Sequence, residues 1–237
     1  MLKLRKPVAK RQAQIILALD VDNLEGAMDF VDRLYPKIKI FKVGSYLFTA
    51  YGPRIIELIH KKGAEVFLDL KYFDIPNTVA QAVGAAVRHK VKMLTLHISG
   101  GKEMLEAAVV SAEAEAKKVS SVRPLLIGVT VLTSKAARPE DILALAKIGI
   151  DSGLDGIVCS ANEAGLLRRK IKKDFLIITP GIRMNSSGAD DQKRTTTVKQ
   201  AVKAGSDFLV IGRPILKADD PSARAGELLG DLYGAGN

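Results

Sequence analysis

Short, continuous apolar runs recur along the chain, and longer amphipathic stretches separate them. Eight runs have this character: IILALD (15–20), IKIFKVG (38–44), EVFLDL (65–70), KMLTLH (92–97), PLLIGVT (124–130), DGIVCS (155–160), FLIITPG (175–181) and DFLVIG (207–212). Each is rich in β-branched residues or Leu and does not alternate with polar residues. This pattern is typical of parallel strands that are covered on both faces, so the sequence predicts eight such strands.

The stretches between the runs have the composition of helices. Asn23 is a suitable N-cap for a helix after the first run, and Pro76 suits the first turn of a helix after the third. Eight strands alternating with helices predict an α/β fold, a (β/α)₈ TIM barrel in a single domain. A doubly wound open sheet is the alternative, but no G-x-G-x-x-G follows the first strand.

The chain shows no internal linker or low-complexity segment, so we expect one domain over residues 14–237, preceded by a basic tail at residues 1–13. The tail lacks the apolar segment of a secretory signal. No run of about 18 apolar residues occurs, so no transmembrane helix is predicted. The single cysteine, Cys159, excludes an intramolecular disulfide framework and is typical of a protein of the reducing cytoplasm.

The formal net charge of +10 favours anionic partners, whether nucleic acid, acidic membrane surfaces or phosphorylated metabolites. The basic residues are dispersed along the chain, and aromatic residues make up only 5% of it. Few rings are therefore available for stacking on single-stranded nucleic acid. We expect a small phosphorylated substrate, with no nucleic-acid partner and no membrane partner.

Polar residues gather at the ends of the apolar runs. In a (β/α)₈ barrel the carboxyl ends of the strands surround the active site, so these side chains are predicted to share one mouth. They are Asp20, Asp22, Lys42, Asp69, Lys71, His97, Ser99, Thr130, Thr133, Ser160, Arg183 and Arg213.

The stretch DLKYFDIPNT (69–78) places Asp69, Lys71 and Asp74 directly after a buried run. Isolated charges are costly there, so the alternating signs indicate mutual neutralisation. Asp69 and Lys71 are two residues apart on a strand, so their side chains are predicted to point the same way, with Lys42 on the neighbouring strand. A lysine kept protonated beside a carboxylate can donate a proton to a carbanion, whereas a Schiff base requires a neutral amine.

The last two strand ends have the character of a phosphate site. Gly212 and Arg213 follow the eighth strand directly, and Arg183 opens a long polar connection that contains Gln192. The loops after strands 7 and 8 commonly bind phosphate in this fold, and the arginine fork suits a phosphate group. A long connection of this kind is often a lid that closes over the ligand.

At these residues the chain resembles the orotidine 5′-monophosphate decarboxylase family from about residue 15 onward. The motifs that carry the resemblance are LALDVD, FKVG, FLDLKYFDIPNT, LHISGG, GVTVLTS, GLDGIVCSANEA, TPGIR, ADDQKR and VIGRPI. The resemblance implies decarboxylation of orotidine 5′-monophosphate to UMP and CO₂, a step of de novo pyrimidine synthesis, with no metal and no cofactor.

The resemblance also implies roles for individual residues. Asp20 and Lys42 would contact the ribose, and Lys42 would also join the charged network. Asp69 would lie beside the substrate carboxylate. Lys71 would protonate C6 of the pyrimidine.

The remaining positions concern the partner chain, the pyrimidine base and the substrate phosphate. The resemblance implies a homodimer with shared active sites, in which Asp74, Ile75 and Thr78 come from the partner chain. Thr133 would approach the pyrimidine. The implied phosphate-binding residues are Arg183, Gln192, Gly212 and Arg213.

Two other functions remain open at this point. A metal-dependent relative, 3-keto-L-gulonate 6-phosphate decarboxylase, resembles this family in its D-x-K-x-x-D element. It has an acidic metal ligand where this chain has Lys42, which would repel the metal. A nucleic-acid-binding protein is the other alternative, suggested by the net charge. His97 either holds the strand-end loops by hydrogen bonds or acts as a general acid, and we favour the first role.

Overall fold

The computed structural model describes residues 12–132, 137–183 and 196–235, and these form a closed barrel of eight parallel strands. β1 pairs with β2 on one side and with β8 on the other, which closes the sheet. The strands are β1 Gln14–Ala18, β2 Ile40–Gly44, β3 Glu65–Tyr72, β4 Met93–His97, β5 Leu125–Val129, β6 Gly156–Val158, β7 Leu176–Thr179 and β8 Phe208–Ile211. The predicted (β/α)₈ barrel and its eight strands are confirmed.

Helices alternate with the strands. They are α1 Leu24–Leu34, α2 Ser45–Tyr51, α3 Arg54–Lys61, α4 Pro76–Arg88, α5 Gly101–Lys118, α6 Pro139–Asp151, α7 Ala161–Lys170, α8 Val198–Lys203, α9 Arg213–Leu216 and α10 Pro221–Gly234. Asn23 caps α1 by accepting a hydrogen bond from the Gly26 amide, and Pro76 begins α4, as predicted.

Two short helices, α2 and α3, lie between the second and third strands. Gly52, with φ of 56°, and Pro53 divide this segment into two short helices. The apolar face of α3, formed by Ile55, Ile56 and Ile59, is buried. No helix within the described ranges has both the length and the apolar character to cross a membrane.

Successive side chains of each strand point to opposite faces of the sheet, so the apolar residues form two separate cores. Residues such as Ile16, Phe67 and Met93 fill the barrel interior, while Leu17, Leu68 and Leu94 pack between the barrel and the helices. Successive inward positions are two residues apart. The inward series therefore continues from the apolar interior to polar side chains at the carboxyl ends of the strands.

The end of β3 departs from regular strand geometry. Leu68 pairs with Leu94 and Tyr72 pairs with Leu96, so β3 uses four residue steps where β4 uses two. Lys71 lies within this irregular stretch, in the left-handed region with φ of 51°, which is uncommon for a residue with a side chain. Such a bulge re-aims side chains, and here it directs them into the mouth of the barrel.

Two aspartates tie together the amino ends of the strands, at the opposite end of the barrel. Asp155, just before β6, accepts hydrogen bonds from Arg123 (2.6 Å) and from the Leu126 amide of β5 (2.8 Å). Asp207, just before β8, likewise accepts hydrogen bonds from Arg168 and from the amide of Ile177 in β7. These two aspartates, the aspartate clamps, connect β5 to β6 and β7 to β8 at the end of the barrel opposite the mouth.

Candidate active site

A cavity of about 240 Å³ opens among the carboxyl ends of the strands. Charged side chains stand at its rim, and apolar side chains of the barrel interior form its floor. Its lining comprises Ala18, Asp20, Lys42, Phe67, Asp69, Lys71, Val129, Val131, Leu132, Val158, Ile178, Pro180, Gly181, Arg183, Val210, Gly212 and Arg213. The structure therefore brings seven of the predicted site residues together: Asp20, Lys42, Asp69, Lys71, Arg183, Gly212 and Arg213.

Four of these residues form a chain of alternating charge. Lys42 Nζ lies 3.4 Å from Asp20 Oδ1 and 3.4 Å from Asp69 Oδ2. Lys71 Nζ lies 2.9 Å from the same oxygen of Asp69. The side chains of Lys42 and Asp69 are only 12% exposed, whereas that of Lys71 is 36% exposed and faces the cavity. The arrangement holds a cation at the cavity wall beside an ionised carboxylate.

The convergence of Asp69 and Lys71 was predicted, but its backbone geometry differs from the expected regular strand. The bulge and the left-handed backbone of Lys71 produce the close approach of the two side chains. The amide of Lys71 donates a hydrogen bond to Thr95 Oγ1 (2.9 Å), and Thr95 Oγ1 donates to Asp69 Oδ1 (3.0 Å). Sequence reasoning missed Thr95, although its inward position two residues before His97 was a usable signal.

The surroundings of Asp69 act on its pKa in opposite directions. Burial raises the pKa of the Asp69 carboxyl, but attraction to Lys42 and Lys71 and hydrogen bonds from Lys71 and Thr95 lower it, and the net result is a pKa below the ordinary value. Asp69 is therefore ionised at neutral pH.

His97, at the end of β4, borders this group. Burial and the nearby charge of Lys71 lower the pKa of His97 below its ordinary value, although Asp69 opposes this shift. The imidazole is thus neutral at neutral pH. Its ring meets the Phe73 ring edge-on, with 5.9 Å between the ring centroids.

Arg183, Gly212 and Arg213 line the part of the cavity formed by the ends of β7 and β8. Gly212 precedes the short helix α9, which begins at Arg213. Gly212 has no side chain to cover its backbone at the cavity, although an added Cβ atom would make only ordinary contacts, 3.4 Å from Asp20 Oδ2 and 3.5 Å from Ala18 Cβ. Two guanidinium groups beside an accessible backbone can bind an anion.

Eight described residues of the predicted site do not line this cavity: Asp22, His97, Ser99, Thr130 and Ser160 from the strand ends, and Asp74, Ile75 and Thr78. Asp74, Ile75 and Thr78 are exposed, and Asp74 Oδ1 accepts a hydrogen bond from the Ile75 amide (2.7 Å). Two others, Thr133 and Gln192, lie outside the described residues. Among the residues that the structure describes, no group of three or more His, Cys, Asp or Glu side chains could hold a metal ion.

The closed barrel and the charged cavity at the carboxyl ends of its strands define a (β/α)₈-barrel enzyme. The chain belongs to the orotidine 5′-phosphate decarboxylase/HUMPS family, whose family model matches residues 13–228.

Individual relatives support this assignment. Orotidine 5′-phosphate decarboxylase of Trichlorobacter lovleyi is 48% identical over 235 residues, covering 94% of this chain and 96% of the relative. The protein of the same name from Vibrio atlanticus is 45% identical over 230 residues, covering 92% of this chain and 98% of the relative. A crystal structure of orotidine 5′-phosphate decarboxylase from Lactobacillus acidophilus superposes with a TM-score of 0.82 at 34% identity, covering 93% of this chain and 99% of that one.

Proposed function

We propose that this protein decarboxylates orotidine 5′-monophosphate to UMP and CO₂ in pyrimidine synthesis, without a metal or an organic cofactor. The observation that carries the proposal is the ammonium group of Lys71, held 2.9 Å from the Asp69 carboxylate at the wall of the cavity. A cation in this position meets the requirement of a reaction that leaves a carbanion. The relatives that bear the name of this activity match nearly the whole chain.

The chemistry follows from fixed charge. Loss of CO₂ from C6 of the pyrimidine leaves an electron pair on that carbon. The ammonium of Lys71 stabilises the developing negative charge and then transfers a proton to C6, which completes UMP. Because the charged groups are held in place before the reaction, little reorganisation is needed in the transition state. Asp69 lies beside the substrate carboxylate in this scheme, and Asp20 and Lys42 bind the ribose.

The phosphate is held at the other side of the cavity in this proposal. Arg183 and Arg213 supply guanidinium donors, Gly212 supplies an open backbone, and Gln192 completes the group. Binding energy from the phosphate, which does not react, can be used to hold the pyrimidine against Lys71. Thr133 would contact the pyrimidine.

We also propose a homodimer with shared active sites. Asp74 is exposed and does not line the cavity of its own chain, and the flanking residues Phe73 and Ile75 are 62% and 65% exposed. Large apolar side chains flanking an exposed carboxylate are typical of an interaction surface. In a symmetric dimer, Asp74, Ile75 and Thr78 of each chain complete the site of the other.

The remaining assignments concern the tail and the compartment. We propose that the basic tail at residues 1–13 precedes the catalytic domain, whose first strand begins at Gln14. A cytoplasmic location is supported by the single cysteine, Cys159, which is buried and whose thiol pKa is raised by burial. A raised pKa keeps the thiol protonated and unreactive.

The test is to incubate the purified protein with orotidine 5′-monophosphate after exhaustive treatment with a chelator. We expect loss of the substrate's ultraviolet band with one CO₂ released per UMP formed. Activity that disappears with the chelator and returns with magnesium would contradict the proposal. Activity only on 3-keto-L-gulonate 6-phosphate would favour the metal-dependent relative, and salt-dependent retention on RNA or DNA without turnover would favour a nucleic-acid-binding role.

A further inference from the structure

Thr95 lies opposite the bulge in β3. On β4 it occupies the position between Leu94 and Leu96, the two residues that pair with the regular parts of β3 on either side of the bulge. It is 1% exposed and shares its inward direction with Met93, which belongs to the barrel interior. Its hydroxyl therefore meets the stretch of β3 between Leu68 and Tyr72, where the regular ladder between these two strands is interrupted.

The hydroxyl of Thr95 makes two hydrogen bonds whose directions are fixed by its partners. The amide of Lys71 can only donate, so Thr95 Oγ1 accepts at 2.9 Å. An ionised carboxylate can only accept, so the single hydroxyl proton goes to Asp69 Oδ1 at 3.0 Å. One side chain thus binds both the backbone of the lysine and the side chain of the aspartate.

Each hydrogen bond constrains a different part of the charged chain. Because Thr95 occupies Oδ1 of Asp69, the other oxygen is left to face Lys42 at 3.4 Å and Lys71 at 2.9 Å. The bond to the Lys71 amide gives a partner to a backbone group that the bulge removes from the strand ladder. It also supports the left-handed backbone of Lys71, with φ of 51°, which would otherwise tend to relax.

We propose that Thr95 is a positioning residue for the proton-transfer step, holding the Lys71 ammonium and the Asp69 carboxylate in their reactive arrangement without touching the substrate. This inference rests on the proposed decarboxylation. Hydrogen-bond partners of metal ligands account for about 10- to 100-fold in affinity or activity when removed, and we expect an effect of the same order for a partner of these charged groups.

The test compares Thr95→Val, which removes the hydroxyl and nearly keeps the shape, with Thr95→Ser, which keeps the hydroxyl. We expect Thr95→Val to lower kcat about 10- to 100-fold with a small change in KM. Thr95→Ser should stay close to the unaltered protein. Thr179→Val is the matched control, since Thr179 is a buried threonine at the end of β7 whose hydroxyl pairs with Ser206.

A pH profile distinguishes positioning from general support of the fold. The Asp69 carboxylate faces Lys42 from β2, Lys71 from β3 and Thr95 from β4, with His97 also near. The Thr95 hydrogen bond is one of the interactions that lower the pKa of Asp69. In Thr95→Val we therefore expect the acid limb of kcat to move to higher pH, and in Thr179→Val we expect no shift.

Hydrogen exchange supplies a readout that does not depend on turnover. The Lys71 amide should exchange faster in Thr95→Val than in Thr95→Ser. If Thr95→Val is too unstable to purify, Thr95→Cys, whose thiol is a weak donor, gives the same comparison. Equal kcat values and pH profiles for Thr95→Val and Thr179→Val would overturn the inference, as would an equal loss in Thr95→Ser. An unaltered protein without decarboxylase activity, but with the expected exchange difference, would instead overturn the proposed function.

Discussion

Asp69 is central to the charged chain because two ammonium groups face one of its carboxylate oxygens. Lys42 and Lys71 approach Asp69 Oδ2 at 3.4 and 2.9 Å, and Thr95 holds the other oxygen. The desolvation that would favour a neutral acid is outweighed by these partners, so burial and ionisation coexist. Removing the lysine leaves the carboxylate uncompensated, and removing the carboxylate leaves the two lysines uncompensated. We therefore expect variants of Lys71 and of Asp69 to have different effects.

Lys71→Ala removes the group that would protonate C6. We expect activity to fall by several orders of magnitude while UMP still binds, because the phosphate contacts are distant from this change. Turnover assays and titration with UMP measure the two effects. Lys92→Ala is the control, since Lys92 pairs with Glu65 at 2.7 Å at the other end of the barrel. If Lys71→Ala kept more than about a tenth of the activity, a barrier change of about 1.4 kcal/mol, Lys71 would not be the acid.

Asp69→Asn should change how stability depends on pH. The pKa of Asp69 is lowered in the folded protein, so its ionised form stabilises the fold above the ordinary Asp pKa of about 3.9. That contribution is lost as pH falls through the lowered value. The stability advantage of the unaltered protein over Asp69→Asn should thus be largest near neutral pH and shrink below about pH 4. Urea unfolding of both proteins from pH 7 to pH 3 measures this difference, and a constant difference would contradict it.

At the scale of elements, the strands were predictable and their irregularity was not. Apolar runs mark the eight strands because buried parallel strands have no polar face. The bulge at the end of β3 depends on pairing with β4, which a linear pattern does not contain. The role of Thr95 also depends on contacts between strands, since its partners lie 24 and 26 positions away in the sequence, and a linear pattern does not show it. The division of the segment between β2 and β3 into α2 and α3 follows from Gly52 and Pro53, which separate the two short helices.

The ends of β7 and β8 should account for phosphate binding. Arg213→Ala is expected to weaken use of orotidine 5′-monophosphate strongly, yet barely to change the reaction of orotidine, which lacks the phosphate. Steady-state kinetics with both substrates measure this. Arg224→Ala, on α10 where Arg224 pairs with Glu227, is the control and should behave as the unaltered protein. Equal losses with both substrates would mean that Arg213 supports the fold and does not bind phosphate.

The aspartate clamps at the amino ends of the strands should affect stability and not catalysis. The Asp155 side chain is 7% exposed, and its removal leaves Arg123 without its carboxylate partner and the Leu126 amide without its hydrogen bond. We expect Asp155→Ala to lower the free energy of unfolding by about 3 kcal/mol with little change in kcat. Denaturant unfolding measures the loss. Asp151→Ala, which breaks an exposed ion pair with Lys173, should leave stability nearly unchanged. A large fall in kcat for Asp155→Ala would contradict this separation.

At the scale of the whole molecule, the described residues of one chain bring only part of the set that the family resemblance assigns to the site into its cavity. Seven of them line the cavity, whereas Asp74, Ile75 and Thr78 face outwards. The reason lies in the local chain direction. After Lys71 the chain leaves the barrel mouth and enters α4 at Pro76, so the segment between them projects from the surface. A second copy placed by a two-fold axis could receive this segment in its own cavity.

Complementation between two inactive variants tests whether Asp74 acts in the active site of its own chain or in that of the partner chain. Lys71→Ala and Asp74→Ala chains are co-expressed in equal amounts, each nearly inactive alone. Random pairing makes about half of the dimers mixed, and in a mixed dimer one site carries both defects while the other carries none. We therefore expect about a quarter of full activity to return.

The control for this experiment is a mixture of Lys71→Ala with Asp69→Ala. Lys71 and Asp69 of one chain belong to the same site, so every site of a mixed dimer keeps one defect and no activity should return. Affinity tags of two kinds verify that mixed dimers form. If the Lys71→Ala and Asp74→Ala mixture forms mixed dimers and stays as inactive as its parents, Asp74 acts within its own chain. The shared-site arrangement would then be wrong, although decarboxylation by Lys71 could still hold. Recovery in both mixtures would point to recombination between the two co-expressed genes, which restores an intact chain, and would equally remove the support for a shared site.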